Sequence, residues 1–298
     1  FEAQMTDLFD EVWPTVTAMK MLRWQVRGYY EEYCVDNNSR LSQKFVEKED
    51  VTNRPNLYRS CIDEPWEYME FRIAKNLLTN IFACYEGWVE NILSLLKVNN
   101  VQKKSAYFQS QSRYTSLLSE MYSGGCSDLV TAFYHCYQLK CKLCDYSKLD
   151  NWLLYYRYFK ECRNAIIHNG GQTTKRCIDA YENIRLLNAA DLNVEEVPQT
   201  FATVLGEPIK LSLRGVVGFS QITLRIVSTL DVELIKAKNA DVYFASTILS
   251  EINGRRTLPS IESMKIQSIK SLVRKGHFLP PQDFDAVHRI LKRLDVVI

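Results

Sequence analysis

Between Trp66 and Leu95 the chain repeats apolar residues at three- and four-residue steps: Trp66, Met69, Ile73, Leu77, Ile81, Tyr85, Trp88, Ile92 and Leu95. Side chains at that spacing share one face of an α-helix. The run therefore predicts a single helix of about thirty residues, the longest of the chain, with Pro65 at its start. A stripe of that length cannot be buried by its own helix and calls for further helices alongside. Apolar residues flank the aromatic positions, which makes the stripe core rather than a base-stacking platform. Only 11 Gly and 8 Pro in 298 residues agree with long helices and few turns. The expected fold class is mainly α.

A second informative stretch runs from 149 to 168. Trp152, Tyr155, Phe159, Cys162 and Ile166 hold helical spacing, and Gly170-Gly171 ends the helix. Near that end stand Arg163, Asn164 and His168, the last being one of four histidines in the chain. Asn164 and His168 are i and i+4 on one face, and Arg157 lies seven residues before Asn164 on the same stripe. Arg163 is turned about 140° from His168 at 100° per residue. Only its long side chain, or a copy from a second subunit, brings guanidinium and imidazole to one substrate, so the geometry favours a site shared between chains. The plain structural alternative is that His168 caps the helix and Arg163 pairs with Glu161 or with a neighbouring helix.

Arg163-Asn164, three residues, then His168 and Asn169-Gly170 together resemble the Arg-x(4 to 6)-His signature of the HEPN superfamily (higher eukaryotes and prokaryotes nucleotide-binding). The resemblance implies a small helical bundle, and the helices read along the chain make it one of four to five with the motif on the fourth. It also implies a metal-independent endoribonuclease that works as a homodimer through the motif helix, frequent in bacterial defence or toxin modules. Arg163, Asn164 and His168 are carried over as the catalytic set. In the implied reaction the ribose 2'-hydroxyl attacks the adjacent phosphate, leaving a 2',3'-cyclic phosphate and a 5'-hydroxyl. Histidine is suited to the proton transfers at neutral pH. Arginine suits the charge that grows on the phosphorane, because its planar fork binds phosphate oxygens. Asn164 would orient either group, Arg157 would hold a neighbouring phosphate, and no cofactor is required. No sensor domain is evident within these residues, which counts against a toxic nuclease; a regulatory protein partner is among the expected partners.

The remaining segments are read from spacing and charge. Residues 1–34 carry a helical pattern with Pro14 as a kink or restart, and 36–63 form a long polar connection with room for one short helix. Helices are expected near 107–122, 127–147 and 174–189. Apolar and polar residues alternate over 194–213 on either side of Gly206-Glu207-Pro208, which reads as an inserted β-hairpin. Helices at 216–236 and 242–252 follow. From 253 to 298 there are nine Lys or Arg against four acids, on two helices near 260–275 and 281–295. Arg274, Lys275, Lys292 and Arg293 are the candidate RNA phosphate contacts in this basic hairpin. Four segments result: an N-terminal extension and connection (1–63), a HEPN-like bundle (64–190), a hairpin with packing helices (191–252) and the basic helical hairpin (253–298).

Nine scattered cysteines suit buried, reduced thiols. His135, Cys136, Cys141 and Cys144 are residue types that bind zinc, but a helix through them lacks the loop that usually frames such ligands, so no metal is expected. No apolar run reaches membrane-spanning length and the first residues resemble no signal peptide, which makes the cytoplasm the default location. Two other functional classes compete. One is a HEPN-like module that binds RNA, nucleotide or protein without cleavage. The other is a helical DNA-binding regulator led by the basic C-terminal hairpin, whose binding would survive loss of His168.

Overall fold

A computed structural model describes residues 1–33, 38–46, 55–95, 125–135, 137, 142–252, 254–276 and 278–298. Its helices are α1 (Glu2–Tyr33), α2 (Asn38–Phe45), α3 (Trp66–Leu95), α4 (Ser127–Leu129), α5 (Leu149–His168), α6 (Lys175–Ile184), α7 (Ala189–Leu192), α8 (Leu213–Leu234), α9 (Ala240–Ile252), α10 (Glu262–Lys275) and α11 (Phe284–Arg293). Wider helical turns occupy Arg59–Asp63 and Val130–Tyr134. The chain is mainly α. The helix expected at 107–122 lies outside the described residues, as does part of that expected at 127–147.

α3 spans 30 residues as its apolar spacing requires, but α1 is longer, at 32 residues with Pro14 inside it. An interior proline removes one backbone bond. A helix of about nine turns keeps the rest, so Pro14 neither ends nor restarts it.

The chain divides into two compact units that interleave along the sequence, so they do not follow the four consecutive segments read from it. The first comprises residues 1–84, 159–182 and 196–220, the second residues 85–158, 183–195 and 221–298. α3, α5 and α8 each contribute residues to both.

In the first unit, Val26 of α1, Leu41 of α2, Leu57 and Cys61 form a small buried cluster. The turn Arg59–Asp63 leaves carbonyls without helical partners, and α1 supplies donors: Arg23 to Ser60 and Glu64 at 2.8 and 2.6 Å, Arg27 to Cys61 at 2.8 Å. The main core is aromatic. Phe219 stacks on Phe159 at 4.5 Å and lies 5.3 Å from Phe82, so that α3, α5 and α8 meet over three buried rings.

The β-hairpin expected over 194–213 does not form. Among the described residues there is no strand, only isolated bridges, one of them Gln172 with Pro208. Each arm finds another partner. Pro198 packs against Gly218 of α8, where a Cβ would come within 3.0 Å of it, and the Gln199 carbonyl passes still closer to Gly215. The second arm bonds the loop after α5. Neither Pro198 nor Pro208 has an N–H to give a hairpin ladder, and apolar alternation describes an extended strap lying on helices as well as it describes a strand.

The second unit carries the basic segment as two helices, α10 and α11, close to the expected spans. The Asp283 carboxylate caps α11 by accepting from Ala286 N at 2.9 Å. The Trp152 indole donates to the Leu192 carbonyl at 2.7 Å, tying the start of α5 to α7. A buried Tyr134 hydroxyl bonds Glu233 at 2.9 Å, and Lys236 completes the group at 2.8 Å from the same carboxylate. No helix among the described residues is long and apolar enough to cross a membrane.

Candidate active site

Arg163, Asn164 and His168 all lie on α5, which ends at His168 as its spacing predicts. The end is built from two glycines. Gly170 and Gly171 have φ of +60° and +80°, a region costly for side-chain-bearing residues. That path lets the Ala165 carbonyl accept from both Asn169 N and Gly171 N at 3.0 Å. The strap then holds the loop. Ile209 N donates to the Gly171 carbonyl at 2.8 Å, Thr173 N to Glu207 at 2.8 Å, and Gly206 N to Thr173 at 3.0 Å. These bonds fix the backbone on which His168 is mounted.

The side chains themselves are largely unspent. His168 is exposed and makes no hydrogen bond or ion pair among the described residues, so it is not a carbonyl cap. Arg163 is half-buried, and its guanidinium carbon sits 5.9 Å from the centre of the Phe82 ring. Its Nε is buried with no hydrogen-bond partner among the described residues, and it does not pair with Glu161. The one contact it makes by hydrogen bonding is long, from Nη1 to Asn164 Oδ1 at 3.5 Å. A buried guanidinium N–H without an acceptor costs stability, and an anionic oxygen is the group that removes the cost. Ile167, 47% exposed, leaves apolar surface next to the imidazole.

Behind the motif, α6 is joined to α5 by a contact that spacing does not reveal. The buried Cys177 thiol donates to the Glu161 carbonyl at 3.3 Å and lies 3.3 Å from the Thr174 hydroxyl. The strap at 204–209 and the Phe82 ring are the other unanticipated parts of the site. The double glycine after His168 is a local signal for the strap alone; nothing near the motif points to the Phe82 ring.

Arg157, half-buried, belongs to the second unit. There, Arg274 and Lys275 are exposed at the end of α10 and Lys292 is exposed on α11, none with a partner among the described residues. Arg293 differs: it pairs with Asp241 at 2.7 Å and reaches the Cys126 sulfur at 3.0 Å. Burial first, then Lys265 and Lys292, push the His288 imidazole below its ordinary pKa, against the opposing pull of Asp285 and Glu262. Cys136 and Cys141 lie outside the described residues. His135 is exposed, and the Cys144 thiol donates to the Ser228 carbonyl at 3.4 Å. No group of three metal-ligating side chains occurs among the described residues.

Comparison of the chain with models of protein families, with curated proteins and with solved structures finds no match.

Proposed function

We propose that the chain is a metal-independent endoribonuclease of the HEPN type, cleaving RNA by attack of the 2'-hydroxyl and working as a homodimer. The observation that carries this reading is the pair of unspent groups on α5: the buried Arg163 Nε with no acceptor, and the exposed, unbonded His168 imidazole five residues on. His168 transfers the proton, and Arg163 holds the phosphate oxygens as charge grows on them. Asn164, beside the guanidinium, orients it. The 140° offset between Arg163 and His168 is answered by two α5 helices facing each other across a two-fold axis, each site drawing one group from each chain. Ile167 supplies apolar contact at that seam. A role in bacterial defence or as a toxin, under a regulatory protein partner, follows from the family resemblance.

The test is cleavage of mixed RNA by the purified chain. His168→Ala should lose roughly 100- to 10,000-fold in rate. Arg163→Lys, which keeps the charge but not the fork, should be strongly impaired as well. Activity should survive EDTA and fail on RNA carrying 2'-O-methyl ribose at the scissile position. Mixing the inactive Arg163→Ala and His168→Ala proteins should restore activity if the site is shared, because one site of each heterodimer keeps both groups. Cleavage retained by His168→Ala, or lost to the chelator, overturns the mechanism. RNA binding without cleavage by the wild-type chain moves the reading to a non-catalytic module.

A further inference from the structure

The second unit has a half-open cavity of about 120 Å³ that the ribonuclease reading does not use. Its wall is apolar, half of it aliphatic, and its rings come from separate parts of the chain: Phe133 and Tyr137 after α4, Tyr243 and Phe244 of α9, and Phe278 between α10 and α11. The rings brace one another. Phe133 meets Phe244 at 5.4 Å, Phe244 meets Phe278 at 4.8 Å, and Tyr243 meets Phe278 at 6.4 Å. The Tyr137 hydroxyl is fixed by the Leu279 N–H at 3.1 Å.

To this apolar wall α8 adds one carboxylate, Asp231; among the described residues no lining residue is basic. Asp231 makes no hydrogen bond or ion pair among the described residues. Its side chain is solvent-exposed at the cavity, and the protein packed around that position pushes its carboxyl up to about 6. A carboxylate at the mouth of an apolar, ring-bearing cavity sets a negative potential there that favours a positively charged group. An anion would be repelled, and a neutral apolar ligand would gain nothing from the carboxylate. A divalent metal takes several oxygen ligands, whereas here there is one carboxylate. A cation with an apolar body satisfies both the carboxylate and the ring wall, through charge and through attraction to aromatic faces.

We propose that this cavity is a binding site for a small organic ammonium ion, with Asp231 as its counter-ion and the rings of Phe133, Tyr243, Phe244 and Phe278 around its apolar part. The volume sets the size. Roughly 150 Å³ of apolar cavity accepts benzene in another protein, so about 120 Å³ holds no more than the ring of a ligand such as benzylamine, whose ammonium group then lies at the mouth. The site stands independently of the Arg163 and His168 chemistry.

The experiment is calorimetric titration of the full chain with three isosteric probes: benzylammonium, benzyl alcohol and benzoate. Benzylammonium should bind at least about tenfold more tightly than benzyl alcohol, a discrimination of about 1.4 kcal/mol, and benzoate should not bind. Asp231→Asn should erase the preference for the cation while the circular dichroism of the chain stays unchanged. If that variant does not fold, the wild-type ranking decides alone. Equal binding of alcohol and ammonium, a preference that persists in Asp231→Asn, or no saturable binding of benzylammonium at millimolar concentration each overturns the proposal.

Discussion

Replacing Gly215 by alanine tests how the strap is seated. A Cβ at Gly215 would lie 2.2 Å from the Gln199 backbone oxygen, against the 3.4 Å at which ordinary contact begins, so helix and strap must separate by about 1.2 Å. The nearest atom is main chain, which cannot rotate away. Overpacking of this kind costs about 1 to 3 kcal/mol, and the better helix propensity of alanine returns up to about 1 kcal/mol. A clash with main chain belongs at the upper end, leaving a net loss of roughly 2 kcal/mol. The internal control is Gly87 of α3, where no atom lies within 4 Å of a Cβ; there alanine should gain about 0.5 to 1 kcal/mol. Thermal denaturation should therefore move in opposite directions, with Gly215→Ala lowered by on the order of 4 °C. RNA cleavage should also fall more in Gly215→Ala, because the strap continues to Ile209 and holds the loop after His168. A Gly215→Ala protein that melts at or above the wild type would refute the close seating.

Two further outcomes concern charge. Changing Arg274, Lys275 and Lys292 together to glutamine should reduce the salt dependence of RNA binding by about 2 in the log–log slope, at roughly 0.7 per phosphate contact. Arg293→Gln should instead lower stability by up to about 1 kcal/mol, since it breaks the pair with Asp241; an unchanged slope in the triple variant would make those residues solvated surface only. Asp231 titrates near 6 in the fold against 3.8 ordinarily, so its contribution to stability is complete below pH 4 and is lost as pH rises through 6. Asp231→Asn should thus match the wild type at pH 4 and exceed it at pH 8, by about 1 kcal/mol once its solvent contact is allowed for. Equal melting at both pH values would mean that solvent already screens the carboxylate.

Local pattern was enough to place α5 to the residue, because its stripe, its motif and its glycine stop are all within one stretch of chain. α3, α10 and α11 were legible for the same reason. The strap was not. Its alternation of apolar and polar residues records that one side is covered, and pairing partners are chosen by parts of the chain far away in sequence: Gly215 and Gly218 for one arm, the loop at 171–173 for the other. Likewise helical geometry fixes the angle between Arg163 and His168, but the Phe82 ring beneath the guanidinium comes from α3 and has no trace near the motif. Asp231 looks like any acid on a helix until five rings from elsewhere line one cavity with it.

The double glycine then acquires a mechanical meaning. Two successive residues in the left-handed region turn the chain so that Gly171 N returns to Ala165 while its own carbonyl faces Ile209 N. A side chain at either position would strain that path and release the last turn of α5 from the strap. His168 has no side-chain partner among the described residues to orient it, so its position depends on that backbone alone. Arg163 is held in a different way, by the Phe82 ring and by burial of its Nε. A site that depends on both groups needs the helix end and the helix body to stay in register, and the strap is the element that couples the loop after His168 to α8. Catalysis of the proposed kind requires reacting groups placed within about an ångström, so the strap contributes to function through placement although none of its residues carries the chemistry.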